Sequence, residues 1–117
     1  MPGPEVILNG EAGFTPVFPK VGDAITYYWG ESNIGDPHTE GYHARVMWKH
    51  GDTVIDDVFV DCTALGHNES AQRTTQLSAP TASGIDYSIE LWVDTDHNQN
   101  TTTANYAYHA VTVDEAG

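Results

Sequence analysis

Apolar and polar residues alternate one by one along three stretches of the chain. In "AITYYWGES", the side chains of Ile25, Tyr27 and Trp29 fall on one side, and those of Thr26 and Tyr28 fall on the other. The stretches "YHARVMWKH" and "DYSIELWVD" show the same period of two. Because successive side chains of a β-strand point to opposite faces, this pattern predicts strands with one buried face.

Weaker alternation predicts four more strands, at Val6–Leu8, Val54–Val60, Ala71–Ser78 and Asn105–Val113. Turn residues fill the segments between strands, as in "NIGDPHTEG", "ALGHNES" and "APTASG", and they recur about every 8–12 residues. No window of a dozen residues shows helical periodicity. The pattern therefore predicts an all-β fold, an Ig-like antiparallel β-sandwich of about seven strands.

The chain has 117 residues, which is enough for one hydrophobic core. We therefore expect residues 1–117 to form a single Ig-like domain, with residues 1–16 as an N-terminal segment that is either an arm or a first strand. The opening "MPGPEVILNG" has no basic region followed by an apolar one, so no signal peptide is visible. No apolar run approaches the ~20 residues that span a membrane, so membrane insertion is not expected.

The charge of the chain is strongly negative. It contains 17 Asp and Glu against four Lys and Arg, a formal net charge of −13. Such a field repels nucleic acid and anionic lipid, so we expect neither as a partner. The lone Cys62 excludes an internal disulfide and a Cys-rich zinc site. Cations, basic surfaces and neutral glycans remain as partners.

Two stretches resemble a known family. "VGDAITYYWGESNIGD" is similar to the opening of the CARDB family, the cell-adhesion-related domain found in bacteria, in its Val-Gly-Asp, its alternating strand and its Asn-x-Gly at Asn33 and Gly35. "GIDYSIELWVDTDHNQNTTTANYA" resembles the closing pattern of the family, with matches at Gly84, Tyr87, Ile89, Val93, Asp94 and Asn105. The closing turn lacks the usual acidic residue ahead of its asparagines, and the middle strands match only as alternation. The resemblance, over roughly Val17 to Val113, implies a seven-stranded sandwich with a binding or spacer role and no catalysis.

Oxygen-bearing side chains occupy every second position in "WVDTDHNQNTTTANY", at Asp94, Asp96, Asn98 and Asn100. Calcium loops of the EF-hand type space their ligands in this way. However, Gln99 stands where such a loop has Gly, and Asn105 stands where it has a bidentate Glu. Asp and Asn also favour tight turns, because they bond to nearby backbone amides. Two interpretations stay open: a polar hairpin turn, or a weak calcium site at these four residues. No other cofactor is expected.

Catalytic patterns are few. The six histidines are scattered without an H-x-H or H-E-x-x-H motif, which predicts surface histidines. Cys62 precedes His67 by five residues, but nothing marks an oxyanion hole beside them. Acidic neighbours such as Asp56 and Asp57 are unavoidable among 17 acids, and a small sandwich has little room for a cleft. We therefore expect that the protein is not an enzyme.

Four aromatic residues are candidates for an interaction surface: alternation turns Trp92 and Tyr28 away from the core-facing residues, and Tyr106 and Tyr108 share one face of the last strand. If Leu91 and Val93 face the core, alternation turns Trp92 to the opposite face. Only one face of each sheet is buried in a two-sheet sandwich, so some of these rings lie on a surface. Exposed aromatic rings anchor protein interfaces or stack on sugar rings, and protein contact is the more general role. The alternative is a structural role, in which these rings cover sheet edges or pack under the N-terminal segment.

These observations together predict a non-enzymatic structural and interaction module that docks on a larger assembly. The assembly is either of the cell-surface adhesion type or a virion or other particle that the protein decorates. Its partner would be a protein, and its location extracellular, on a cell surface or on a particle surface. The alternative is a carbohydrate-binding module with exposed aromatic residues and a weak calcium loop.

Overall fold

The computed structural model describes residues 3–96 and 105–116. Within these residues the chain forms strands and no helix, so none of them lies in a helix that could cross a membrane. The strands are β1 Val6–Leu8, β2 Gly13–Thr15, β3 Ile25–Asn33, β4 Tyr42–His50, β5 Thr53–Cys62, β6 Ser70–Leu77, β7 Gly84–Trp92 and β8 Tyr106–Val113. The prediction of an all-β fold is confirmed.

The strands form two antiparallel sheets. In sheet 1, β3 lies in the centre with β6 on one side, while β1 and β2 follow one another along its other side. In sheet 2 the order is β5-β4-β7-β8. The chain changes sheet between β3 and β4, between β5 and β6, and between β6 and β7. This arrangement is an Ig-like β-sandwich, as the alternation predicts.

One strand was not expected from the sequence, since the described residues contain eight strands rather than about seven. The additional strand is β2, which has three residues and pairs Gly13 with Tyr28 and Thr15 with Thr26. Three residues are too few to show alternation, and Pro16 follows at once. Strand pairing to the long β3 therefore defines β2, and this pairing is not visible in a local pattern.

The core lies between the two sheets. On β3 the inward side chains of Ile25, Tyr27 and Trp29 are fully buried. On β4 the inward residues are Tyr42, Ala44, Val46 and Trp48, and on β7 they include Tyr87, Ile89 and Leu91. The faces that the alternation assigns to the core are thus the buried faces.

Asn33, at the end of β3, organises one end of the sandwich. Its Oδ1 accepts hydrogen bonds of 3.0 Å from the backbone N–H groups of Glu5 and Gly35. Its Nδ2 donates to the carbonyl oxygens of Asp36 and Leu65, at 2.8 and 3.0 Å. One buried amide therefore joins the N-terminal segment, the β3–β4 loop and the β5–β6 loop.

Gly35 allows the same segments to approach closely. A Cβ atom at this position would lie 2.6 Å from the carbonyl oxygen of Gly3 and 2.7 Å from the backbone nitrogen of Glu5. Both distances are too short for any side chain, so only glycine fits. Asn33 and Gly35, which the sequence resemblance rests on, therefore have a structural role in this chain.

Candidate interaction surface

The outer face of sheet 2 carries a row of large side chains. Arg45 on β4 is paired with Phe59 on β5 and with Trp92 on β7, and Trp92 is paired with Tyr106 on β8. All four residues occupy outward positions, so their side chains form one row across the whole sheet. We call Phe59, Arg45, Trp92 and Tyr106 the aromatic row.

The side chains of the aromatic row contact one another. The guanidinium carbon of Arg45 lies 5.4 Å from the ring centroid of Phe59 and 5.4 Å from that of Trp92. The centroids of Trp92 and Tyr106 are 5.4 Å apart, and their ring planes are inclined by 53°. Both distances from Arg45 are within the range of a cation–π contact. Arg45 therefore lies between two aromatic rings.

Asp57 fixes the guanidinium of Arg45. Arg45 Nε donates to Asp57 Oδ1 at 2.8 Å, and its second nitrogen donates to Oδ2 at 2.7 Å. These hydrogen bonds raise the pKa of Arg45 and lower that of Asp57. Both groups are therefore charged at neutral pH, and the two-point contact holds the planar guanidinium in one orientation.

A second row follows the first on the same face. Tyr108 is paired with Glu90, and Glu90 accepts a hydrogen bond from the hydroxyl of Tyr106. Burial, together with this carboxylate, raises the pKa of Tyr106 to about 12, so its hydroxyl stays protonated. Tyr108 and Phe59 are more than half exposed, at 59% and 56%. The outer face of sheet 2 thus combines exposed rings with paired charges.

Tyr28 lies on the opposite side of the molecule. It is 43% exposed on the outer face of sheet 1, and its ring lies against Gly13, where a Cβ atom would come within 2.7 Å of the hydroxyl oxygen. Of the four aromatic residues predicted for interaction, Trp92, Tyr106 and Tyr108 share one face and Tyr28 does not. Their role in binding stays a prediction.

Sequence reasoning missed two members of the aromatic row, Phe59 and Arg45. Alternation does place both on the outward side of their strands, since Val58 and Val60 flank Phe59, and Ala44 and Val46 flank Arg45. The pattern does not give the register between strands, and only the register brings Arg45 between Phe59 and Trp92.

The residues predicted for calcium occupy different environments. Asp94 is buried with a positive φ of 45°, and its Oδ2 accepts from His38 Nε2 at 2.8 Å. Asp96 lies at the surface, where its carboxylate accepts from His43. Asn98 and Asn100 lie outside the described residues. Within residues 3–96 and 105–116, no group of three or more His, Cys, Asp or Glu is arranged to hold a metal ion. The calcium hypothesis stays a prediction.

The expectation of surface histidines is wrong for His38. Its side chain is 1% exposed, because the ring stacks on Tyr42 with centroids 4.1 Å apart and pairs with the buried Asp94. A carboxylate and an aromatic face inside the protein together replace the water that an imidazole would otherwise contact. His43, by contrast, lies at the surface between Asp61 and Asp96.

Cys62 is buried at the end of β5 and is 4% exposed. Burial raises the pKa of its thiol to about 12, and the nearby Glu31 carboxylate adds to the increase. The sulfur is therefore a protonated thiol at neutral pH, which is not the nucleophilic form. Its role is that of a small apolar residue in the core.

Glu31 is the centre of a charged contact between the sheets. It is fully buried, and Trp29 Nε1 donates to its Oε1 at 2.6 Å. The hydroxyl of Tyr42, from sheet 2, donates to Oε2, and Arg73 Nε lies 3.4 Å from the same oxygen. Arg73 also donates to the Tyr42 hydroxyl and to the backbone of Thr63. We call Glu31, Arg73 and Tyr42 the charged bridge.

A neutral contact joins the sheets through β3 and β8. The Tyr27 hydroxyl lies 2.9 Å from His109 Nε2, and Phe14 packs edge-on against the His109 ring with centroids 5.8 Å apart. Burial lowers the pKa of His109, so the ring is neutral at neutral pH. We call Tyr27 and His109 the neutral bridge.

No family model and no curated protein matches the chain, but solved structures do. A crystal structure of the CARDB domain of a Pyrococcus furiosus protein, in complex with di-metal ions, matches with a TM-score of 0.65 and 22% identity, over 97% of this chain and 96% of that one. A solution structure of the same domain matches with a TM-score of 0.63 and 20% identity, over 97% of this chain and 98% of that one.

A β-glucosidase from Listeria innocua also matches, with a TM-score of 0.65 and 13% identity. The match covers 97% of this chain but only 16% of the enzyme, so it concerns a small part of that protein. At these identities the matches establish the fold alone. The chain has a CARDB-like Ig-like fold, and the resemblance read from its sequence is confirmed at that level.

Proposed function

We propose that the protein is a non-enzymatic interaction module, which docks on a protein partner in a larger assembly through its aromatic row. The observation that carries the proposal is the row itself, in which Phe59, Arg45, Trp92 and Tyr106 cross all four strands of sheet 2. Trp, Tyr and Arg are the residue types that contribute most to protein interfaces.

The geometry of Arg45 supports a protein partner. Binding costs less free energy when a side chain is already held in place, because less rotamer freedom is lost. Asp57 holds the guanidinium by two hydrogen bonds, and two rings enclose it. Asp57 also offsets the charge of Arg45, so the row can approach a partner without an unpaired charge.

The CARDB-like fold supports a place outside the cell, on a cell surface or on a particle surface. Two settings fit: an adhesion module of a cell surface, and a decoration protein of a virion or other shell. In both, a rigid sandwich presents one face to its partner and leaves its acidic surface in water. The net charge of −13 also favours a partner that is basic or neutral.

The test compares two aromatic variants for binding to the assembly isolated from the natural source. Trp92→Ala removes the centre of the aromatic row, and we expect it to weaken binding roughly 30-fold, the effect of a strong interface residue. Tyr28→Ala is the matched control, since it removes an exposed ring from the other sheet. Equal binding of wild type and Trp92→Ala would overturn the proposal.

The alternative function is carbohydrate binding, which the exposed rings of the aromatic row also favour. Trp92 and Tyr106 are inclined by 53°, however, and this suits a flat polysaccharide surface less well than coplanar rings. The di-metal ions of the Pyrococcus furiosus CARDB domain support a metal-assisted form, with calcium at Asp94, Asp96, Asn98 and Asn100. A glycan array with and without a chelator separates the two functions. Sugar binding that requires calcium would favour the alternative.

A further inference from the structure

The outer face of sheet 1 differs in chemistry from the rest of the surface. On β6 the outward residues are Ser70, Gln72, Thr74 and Gln76, and on β3 they are Thr26, Tyr28, Gly30 and Ser32. None of these eight outward residues carries a formal charge, although the chain contains 17 acidic residues. We call this surface the uncharged face.

The one charged residue of β6 points away from the uncharged face. Arg73 occupies an inward position, where its guanidinium bonds to Thr63 and the Tyr42 hydroxyl and lies beside the buried carboxylate of Glu31. Its charge is thus neutralised inside its own chain. The outer edge of β6 therefore presents backbone groups between uncharged side chains.

β6 is also a regular edge strand. It pairs with β3 at eight consecutive positions, from Ser70 to Leu77, without a bulge. In the described part of the chain β3 is its only strand partner, so no described strand pairs with its other side. Exposed edges of this kind are templates for pairing with another strand, and proteins normally block them with charges, proline or bulges.

The other edge strands are short, or carry or adjoin charged side chains. β5 carries the outward carboxylates of Asp57 and Asp61 and is paired to β4 with a register shift. The end of β8 is covered, because Asp114 exchanges backbone hydrogen bonds with Pro19 and Val21. β1 and β2 have three residues each. Among the described edges, β6 is the long one whose outward side chains, like those of the neighbouring β3, are all uncharged, whereas β8 lies beside the outward Glu90 of β7.

We propose that β6 pairs antiparallel with β6 of a second copy of this chain, which forms a two-fold symmetric dimer with one continuous sheet. The charge distribution selects this partner. Two copies that each carry −13 repel one another, and the outward side chains of β6 itself bring no carboxylate opposite a carboxylate. Ser, Thr and Gln side chains both donate and accept hydrogen bonds, so they complement themselves across a two-fold axis.

The dimer has a distinctive response to salt. Repulsion between the two acidic copies acts over a distance, and salt screens it, whereas the backbone hydrogen bonds between the strands are little affected. Dimerisation should therefore become tighter as the salt concentration rises. An interface held by ion pairs would respond in the opposite way.

Sedimentation equilibrium on the full chain, at low and high salt, tests the proposal. Thr74→Glu places a carboxylate at the centre of the β6 edge, and we expect it to weaken dimerisation roughly tenfold through like-charge repulsion across the axis. Thr112→Glu is the matched control. It makes the same substitution, with the same net charge, at an exposed outward position of β8, and it should change the dimer constant little.

Hydrogen exchange supplies a second readout that does not depend on a variant. Amides of residues 70–77 should exchange more slowly as the protein concentration rises. Three outcomes would overturn the proposal: a monomer at every concentration in high salt, equal effects of Thr74→Glu and Thr112→Glu, or protection confined to sheet 2. Trp92→Ala should leave the dimer intact, which separates this interface from the aromatic row.

Discussion

The charged bridge and the neutral bridge both join the two sheets through buried polar groups, but the chemistry of those groups differs. In the charged bridge, one buried carboxylate, Glu31, accepts from Trp29 and Tyr42 and lies beside Arg73. In the neutral bridge, the hydroxyl of Tyr27 meets an uncharged imidazole at His109. Each contact joins a β3 residue to sheet 2, yet only the first depends on a full charge inside the core.

The difference determines how each bridge fails. Removal of one member of a buried charge pair leaves the other without a partner, and this costs more free energy than a lost neutral hydrogen bond. A neutral imidazole, however, sits close to its ionisation range and becomes charged in mild acid. The charged bridge is therefore sensitive to mutation, and the neutral bridge is sensitive to pH.

The largest effect is expected for Glu31→Ala. It leaves the guanidinium of Arg73, the hydroxyl of Tyr42 and the indole N–H of Trp29 without their buried acceptor. We expect the free energy of unfolding to fall by about 3–5 kcal/mol, as measured by urea denaturation. The double variant Glu31→Met with Arg73→Met should lose less than Glu31→Ala. A loss below about 1 kcal/mol for Glu31→Ala would mean that water replaces the carboxylate.

Tyr42→Phe is expected to have the next largest effect. It removes one donor to Glu31 and one acceptor for Arg73, at a cost of about 1–3 kcal/mol. Burial and the Glu31 carboxylate raise the pKa of Tyr42 above its ordinary value of 10.0, so the folded state retains a proton that the unfolded state loses. Stability should therefore fall above pH 10, and less steeply in Tyr42→Phe than in wild type. Urea denaturation of both proteins above pH 10 measures this difference. If the free energy of unfolding fell equally steeply with pH in both, the result would contradict the prediction.

His109→Phe tests the neutral bridge. Its packing against Phe14 is kept and the hydrogen bond to Tyr27 is lost, so we expect a cost of about 1 kcal/mol at pH 7. Burial lowers the pKa of His109 below 6.5, so the unfolded state binds a proton first as the pH falls. Wild-type stability should therefore decrease from pH 6.5 downward, and His109→Phe should flatten this decrease. Parallel curves for the two proteins would contradict the assignment.

The smallest effect is expected for His43→Gln. The hydrogen bond to Asp96 raises the pKa of His43, and the charges of Asp96 and Asp61 add to the increase. Protonated His43 therefore stabilises the fold below pH 6.5, and this stabilisation is lost as the pH rises through the pKa that His43 has in the folded protein. NMR titration of the imidazole signals should place His43 above 6.5 and His109 below it. Added salt should reduce the pKa shift of His43 but not that of His109, because only the His43 ring is exposed.

Alternation along the sequence predicted the strands, their buried faces and the fold, because a half-buried sheet requires a period of two. The same pattern places Glu31 and Asn33 on the inward side of β3, after Ile25, Tyr27 and Trp29. The inward position of Glu31 in the sequence pattern indicates a buried carboxylate. The sequence does not show which basic residue pairs with it. Arg73 comes from another strand, 42 residues away, and only the fold brings the two together.

The candidate surface was predictable in part for the same reason. Alternation turns Trp92, Tyr106 and Tyr108 outward, and the structure places them on one face. The partnership of Arg45 with two rings depends on strand register, which loop lengths and core packing set jointly. The scattered histidines without a metal-binding motif predict surface positions for all six, yet the His38 ring lies inside the protein, where it bonds to Asp94.

The position of Asn33 has a mechanical consequence. Glu5 and Val6 lie beside it at one end of the sandwich, whereas Val113 pairs with Gly84 at the other end of a molecule 50 Å long. A force that pulls these two ends apart shears β1 along β3. All the hydrogen bonds between the two strands then oppose the force at the same time. The Asn33 side chain, bound to the N-terminal segment and to two loops, reinforces the ladder at the point where the force enters.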